Sequence, residues 1–559
     1  MSWGRLVNTM AKHPRTTDPG PWPPHQVGSC SDTARLPREY RLARKLAARG
    51  RHDKARRLYA RLEPSAAETR LRALIANDLA VLAAVGGDFE AARESLEAAL
   101  AIDEGCQPAR LNLALLRVEL SDSETVTLPA NGAVHATALA PSSAVKIAIV
   151  SFLFNWPSTG GGNIHTVELA TFLARAGYEV KHFHARYANW GIGRVTDELP
   201  IDSSPLQFND WNWNISAIQA RFREAVDAFA PDYVLITDTW NMKPILAEAV
   251  RGYHYLLRFQ AQECLCPLNN LRLLLGGPGE FAQCSLNQLA TPDVCRRCLA
   301  ERGDQSGLLH QQERALAGVG TPEYDRKLHR ALNEAEAVLA LNPLTAALLE
   351  AYSRQVSVVP WGMDPARFPW PQGDEARDRQ PSGITTLFMA AVAGELMKGF
   401  HIAHEACRLL RQSRSDFELV VTFDPPGQID EFTRSVGWCS QAELPQHYRT
   451  SDICLVPTIA QEGLSRTSVE AMASGIPVIA SRIGGLPYTV VDGVTGLLFE
   501  PGDAVDLARK ITRMLDDPLL RKQMGLAGRQ RFENEFTWET VIERYYRPLL
   551  TRRVEKQPS

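Results

Sequence analysis

Residues 453–481 read ICLVPTIAQEGLSRTSVEAMASGIPVIAS, and their pattern decides the fold. Residues 453–457 are a short apolar run closed by a proline, and residues 476–481 are a second such run. Between them lie a polar loop and an alanine-rich helical stretch, so the segment reads strand, loop, helix, strand, as in a parallel α/β sheet. Ser465 or Thr467 can cap the free N–H groups of a helix beginning there, and Gly475 is placed to end it. Ligands of open parallel sheets bind beyond the carboxyl ends of the strands, where a helix N-terminus offers N–H donors and partial positive charge to an anion. Glu462 lies just ahead of that helix end, and Glu470 lies inside the helix. Glu470 has the acceptor oxygens to take both hydroxyls of a ribose, and Glu462 those to hydrogen-bond a sugar and balance charge developing at its anomeric carbon. Spacing alone does not separate this from two solvated acids at a helix start.

At 559 residues the chain is too long for one compact core, and two or three domains are expected. Its 45% hydrophobic and 22% charged residues are ordinary for a globular protein. A net charge of -3 argues against a nucleic-acid partner. No stretch has the roughly eighteen apolar residues of a membrane span, and residues 1–20 lack the apolar core of a signal peptide. A cytoplasmic location with at most peripheral membrane contact is therefore expected.

Taken in order, residues 1–35 are rich in proline, glycine and polar residues without period and read as disordered. Residues 36–120 turn to Ala, Leu, Arg and Glu at helical spacing. Within them Gly50, Ala55 and Tyr59 recur as Gly87, Ala92 and Leu96, offset by about one tetratricopeptide unit, which this region resembles. A plain helical cap on the following domains is the alternative. Residues 121–144 read as a linker. A first α/β domain is expected over residues 145–370, with strands at 145–154, 232–237, 253–259, 337–341 and 356–360. After its first strand comes STGGGN at 158–163 and a helix over 164–176, stopped by Gly177. Gly161 and Gly162 would let the backbone turn close to an anionic group, and His165 on the first helical turn is either a site residue or a surface histidine. Half of the 10 cysteines fall at 264, 266, 284, 295 and 298, within an insertion at 260–300. A structural zinc on Cys266, Cys284, Cys295 and Cys298 is one reading, with plain cysteines as the other. Residues 370–381 read as a hinge, and a second α/β domain over 380–550 begins with a strand at 384–392.

Glu462 to Met472, EGLSRTSVEAM, followed by GIPV at 475–478, resembles the signature of glycosyltransferase family 4, two glutamates with seven residues between. That resemblance covers about residues 145–550. It implies the GT-B fold, two Rossmann-like domains facing a cleft, preceded here by a small all-α repeat region. It also implies a retaining, metal-independent transfer of a hexose from a nucleotide-diphosphate sugar to a glycan, lipid or other acceptor, without a catalytic cofactor. By the same resemblance Glu462 and Lys398 are the catalytic candidates. Glu470, Gly463, Leu464, Ser465 and Arg466 would bind the donor, with Gly161, Gly162 and His165 on the facing domain. Three departures stand out. Gln260 falls where the family often has a histidine, Trp361 replaces a usual asparagine, and the usual arginine ahead of Lys398 falls near Ala393. A non-enzymatic adaptor that binds a protein partner through its helices, or another GT-B enzyme such as a nucleotide-sugar epimerase, are the alternatives.

Overall fold

The computed structural model describes residues 38–47, 52–62, 69–85, 88–103, 106, 109, 112–113, 144–158, 160–275, 281–303, 306–369, 383–391, 396–425 and 430–551. The terminus, linker and hinge expected at 1–35, 121–143 and 370–381, and Ala393, lie outside them. The described residues form two compact units. One holds the helical region together with those of residues 274–286, and the other holds the rest.

In the helical region, α1 (Arg38–Ala47) and α2 (His52–Leu62) form one hairpin, and α3 (Thr69–Val85) and α4 (Phe89–Ile102) a second. The positions that recur in the sequence, Ala55 with Ala92 and Tyr59 with Leu96, are all buried. Small side chains set the spacing, since Ala73, Ala76 and Ala80 of α3 share one cluster with Ala92, Leu96 and Ala99 of α4. Asp78 accepts from the hydroxyls of Tyr40 and Tyr59, each at 2.9 Å, and so ties α3 to the first hairpin.

The second unit carries two parallel sheets. The first is built from β1 (Lys146–Ser151), β2 (Glu179–Arg186), β3 (Ser203–Gln207), β4 (Tyr233–Thr237) and β5 (His254–Arg258). Counting past the small strands β6 (Leu273–Leu275) and β7 (Phe281–Gln283), which pair with each other and fall almost wholly in the first unit, β8 (Ala337–Ala340) and β9 (Val356–Val358) complete the first sheet in the order β3-β2-β1-β4-β5-β8-β9. The second sheet uses β10 (Thr385–Met389), β11 (Phe417–Val421), β12 (Thr433–Ser435), β13 (Ile453–Val456), β14 (Val478–Ser481) and β15 (Gly496–Phe499), in the order β12-β11-β10-β13-β14-β15. Central strands such as β4 and β13 are buried along their whole length, as sheets covered on both faces require. The order reverses between β1 and β4 in one sheet and between β10 and β13 in the other. Such reversals open a crevice at the carboxyl ends of the strands.

A late segment joins the first sheet's core. Thr537 caps a short helix, Trp538–Val541, and Trp538, Val541, Ile542, Tyr546, Leu549 and Leu550 pack with Ile147, Ile149, Leu169 and Leu256. Trp538 is fully buried, and a Cβ on Gly362 would lie 2.3 Å from its ring. No helix among the described residues is long and apolar enough to cross a membrane. Trp538→Ala should therefore destabilise the protein by about 3–5 kcal/mol, the loss typical of a buried tryptophan. A melting temperature within a degree or two of the parent would show that this helix is not part of the core.

Candidate active site

The second sheet's crevice forms around Glu462. Ser465 caps the helix Arg466–Ala473 by accepting from the Ser468 N–H, and Gly475 follows it in the left-handed conformation, as its sequence predicts. Glu462 stands in the loop before that helix, and its Oε1 accepts from Lys398 Nζ at 2.7 Å. Both are partly open to solvent, with 17% and 38% of their side chains exposed. Glycines make the meeting possible. Gly399 has φ +77, and a Cβ there would lie 1.8 Å from the Pro457 carbonyl oxygen, so only glycine lets the loop after β10 lie on the loop after β13. On the other side, a Cβ on Gly485 would lie 2.0 Å from the Gly463 oxygen, and Gly485 N–H donates to the Glu462 carbonyl at 2.9 Å.

Glu470 lies buried one turn into the helix, where its Oε2 accepts from the Tyr448 hydroxyl at 2.9 Å. Burial, and then the charge of Glu470, push that phenol well above its ordinary range. Arg466 corrects an expectation. Its guanidinium does not open toward a phosphate but is buried, donating to both oxygens of Glu168 at 3.1 Å, with Nε 3.6 Å from Glu470 Oε1. Burial alone would lower its pKa, but the carboxylates of Glu168 and Glu470 hold it above the usual value. The loop residues have local roles. Leu464 is in the core, Ser465 is the cap, and the Gly463 carbonyl accepts from Asn342 Nδ2 across the cleft at 2.5 Å.

On the facing half, Gly161 and Gly162 are not loop residues. The helix runs Gly161–Arg175, three residues longer at its start than the sequence suggests, because Asn163 ties that end down by donating to the Leu153 carbonyl at 3.1 Å and accepting from Asn155 N–H at 3.2 Å. A Cβ on Gly162 would stand 2.9 Å from Asp238 Oδ1. The glycine thus admits the protein's own carboxylate. Asp238 ends β4 at the strand-order reversal with φ +40, rare for a residue with a side chain. Burial pushes its carboxyl up to about 6, opposed by the neighbouring polar groups of Thr166 and Asn163 and by the charge of Lys243. Sequence reading missed this residue, whose only signal is an acid directly after a central strand.

His165 is not a surface histidine. It is fully buried and stacked between Trp361 and Trp538, at 5.7 and 5.1 Å, and neither ring nitrogen has a hydrogen-bond partner. Burial, then the charges of Arg258 and Arg466, keep it neutral. The two departures Gln260 and Trp361 meet each other. Trp361 Nε1 donates to Gln260 Oε1 at 2.7 Å, and Gln260 Nε2 donates to Thr237 Oγ1 at 2.9 Å. Glu263 accepts from the backbone N–H groups of Gln260 and Ala261, and His254 pairs with Glu336 at the amino end of β5, away from the crevice. The cysteines have local partners. Cys264 Sγ donates to the Trp240 carbonyl, Cys295 and Cys298 lie one turn apart on the helix Pro292–Arg302, and Cys284 donates to the Leu286 carbonyl. Among the described residues no group of three or more histidine, cysteine or acidic side chains is gathered to hold a metal ion.

Residues 384–517 match the family described as glycosyl transferases group 1. The MMP alpha-(1->4)-mannosyltransferase of Mycolicibacterium hassiacum is 31% identical over 198 residues, which are 34% of this chain and 46% of that protein. The chain spans about half the length of the curated relatives it matches. Sucrose-phosphate synthase from Thermosynechococcus elongatus superposes with a TM-score of 0.51 at 21% identity, covering 72% of this chain and 99% of that one. Anabaena HepE in complex with UDP superposes at 0.50 and 16% identity, with the same coverage. The fold is thus GT-B, two Rossmann-like domains facing a cleft, and the second of them is similar to glycosyltransferases.

Asp238 gives this site a pH signature. A carboxyl whose value is raised on folding contributes stability that is whole below its unfolded value, about 4, and is lost as pH rises through about 6. Asp238→Asn removes that titration. Its stability relative to the parent should therefore rise between pH 4 and pH 8, by on the order of 2 kcal/mol. A difference that stays flat across that range in thermal melts would rule out a buried, raised carboxyl.

Proposed function

We propose that this chain is a retaining, metal-independent glycosyltransferase of family 4, moving a hexose from a nucleotide-diphosphate sugar to a glycan, lipid or other acceptor in the cytoplasm. The carrying observation is the Glu462–Lys398 pair, held at 2.7 Å at the strand-order reversal of the second sheet, with Glu470 buried on the adjoining helix. In this reading Glu470, oriented by Tyr448, accepts the ribose hydroxyls. Lys398 shifts from Glu462 toward the diphosphate, and the start of the helix Arg466–Ala473 adds its N–H groups. Glu462, freed of its partner, faces the hexose and balances charge at the anomeric carbon. The bond from that carbon to the phosphate oxygen breaks, the acceptor oxygen bonds on the same face, and the acceptor proton passes to the departing phosphate oxygen. No protein base is then required, which suits Gln260 being engaged by Trp361 and Thr237. The mannosyl transfer in the name of one relative and the UDP held by HepE support the choice of donor class. The tetratricopeptide-like helices recruit the acceptor or a protein partner.

Glu470→Ala should weaken nucleotide binding by about 1.5–3 kcal/mol, the range for a hydrogen bond to a charged group. Calorimetry giving an unchanged affinity in a folded variant would remove Glu470 from the ribose site. Glu462→Gln keeps shape and hydrogen bonding without charge, and turnover should fall at least about a hundredfold while donor affinity changes little. Native protein that binds and turns over no donor across a panel of UDP-, GDP-, ADP- and dTDP-sugars would refute the transferase reading.

A further inference from the structure

Glu168 lies in the middle of the helix Gly161–Arg175, on the half of the molecule opposite the donor loop, with 15% of its side chain exposed. Its two oxygens gather donors from three separate segments. Arg466 Nη1 and Nη2 reach one oxygen each at 3.1 Å, Arg367 Nη1 reaches Oε1 at 3.2 Å, and Trp538 Nε1 reaches Oε2 at 3.2 Å. Arg367 in turn donates to the carbonyl and side chain of Gln441 at 3.0 Å. The result is an alternating row, Arg367, Glu168, Arg466, Glu470, in which every charge has an opposite neighbour. Arg466 is the shared member. It holds Glu168 bidentately, yet its Nε, which has no hydrogen-bond partner, stays 3.6 Å from Glu470 Oε1, on the same helix four residues on.

We propose that Glu168 is a positioning residue for the nucleotide site, keeping Arg466 off Glu470 whenever the two halves are closed. The argument rests on the ribose role given to Glu470 above. If the halves separate, Glu168 leaves with its helix, and the only carboxylate of the row still within reach of Arg466 is Glu470. A charged hydrogen bond between them would then occupy the oxygen that the ribose needs. Closure restores the bidentate grip, which outcompetes the longer Nε contact and frees Oε1. Nucleotide and closure therefore favour each other, because each is linked to the same position of one guanidinium.

The test is a double-mutant cycle on affinity for nucleoside diphosphates, measured by calorimetry on the full chain with UDP, GDP, ADP and dTDP as probes. Glu168→Gln should bind the preferred diphosphate at least tenfold more weakly than the parent, because Arg466 falls back onto Glu470. Adding Arg466→Met, which removes the competing cation, should restore affinity to within about threefold of Arg466→Met alone. A merely structural Glu168 would instead give losses that multiply, and that result overturns the proposal, as does unchanged binding by Glu168→Gln. Should Glu168→Gln fold poorly by circular dichroism, Arg466→Lys reads the same coupling. It keeps a charge beside Glu470 without the bidentate grip and should also lose about tenfold, with no loss counting against the proposal. If the parent binds none of the four diphosphates, the transferase reading falls and this coupling with it. If the parent binds and the cycle is multiplicative, only the coupling falls.

Discussion

A guanidinium taken out of water without partners costs several kcal/mol, and the burial of Arg466 is the constraint around which the two-sheet unit is arranged. The side chain lies at the start of the helix after β13, but half of its compensation comes from Glu168 on the opposite half. Glu168 in turn needs Arg367, from the segment after β9, and the indole of Trp538, from beyond the second sheet. Four stretches far apart in sequence are thus required at one point before any of their charges is satisfied. Such a network is weak evidence of stability in itself. It does specify a single arrangement, because a shift of any one stretch leaves a buried charge exposed to a dry interior.

Around that point the cleft is shaped by backbone meeting backbone. Gly399 lies on Pro457, Gly484 and Gly485 on the Glu462–Gly463 loop, and Gly463 on the Gln260 carbonyl. None of these contacts admits a Cβ, so the two loops that carry Lys398 and Glu462 are placed to within the thickness of a methyl group. Polar contacts across the cleft then fix the register, with Gln262 donating to Gln461 at 2.8 Å and Asn342 to the Gly463 carbonyl. Precise placement of a cation against a carboxylate follows from residues that have no side chain to offer.

Local signals were legible in the sequence and distant ones were not. Short apolar runs gave β1, β4, β5, β8, β9, β10, β13 and β14, and Ser465 caps the helix its position predicts, because a cap depends on atoms three residues away. Glu462, Glu470 and Lys398 could be found because their chemistry is written in one loop and one helix start. Glu168 could not, since a lone acid in the middle of a helix looks like any solvated residue until Arg466 arrives from nearly three hundred residues away. Asp238 was missed, and the burial of His165 was hidden, for a related reason. A helix was read as starting too late, so the turn that Asp238 faces looked like an open loop, and the aromatic cover over His165 comes from residues 361 and 538. Gln260 and Trp361 were each visible as departures, but the hydrogen bond that joins them was not.

The segment that begins at Trp538 also bears on how the molecule is made. Its side chains belong to the core under β1, β4, β5 and β8, although every strand of that sheet is synthesised before residue 360. While the ribosome is still producing the second sheet, the first therefore stands with one face of its core unfilled, exposing Ile147, Leu169 and Phe172 to whatever apolar surface is near. Folding of the earlier half is completed only after the later half has been translated.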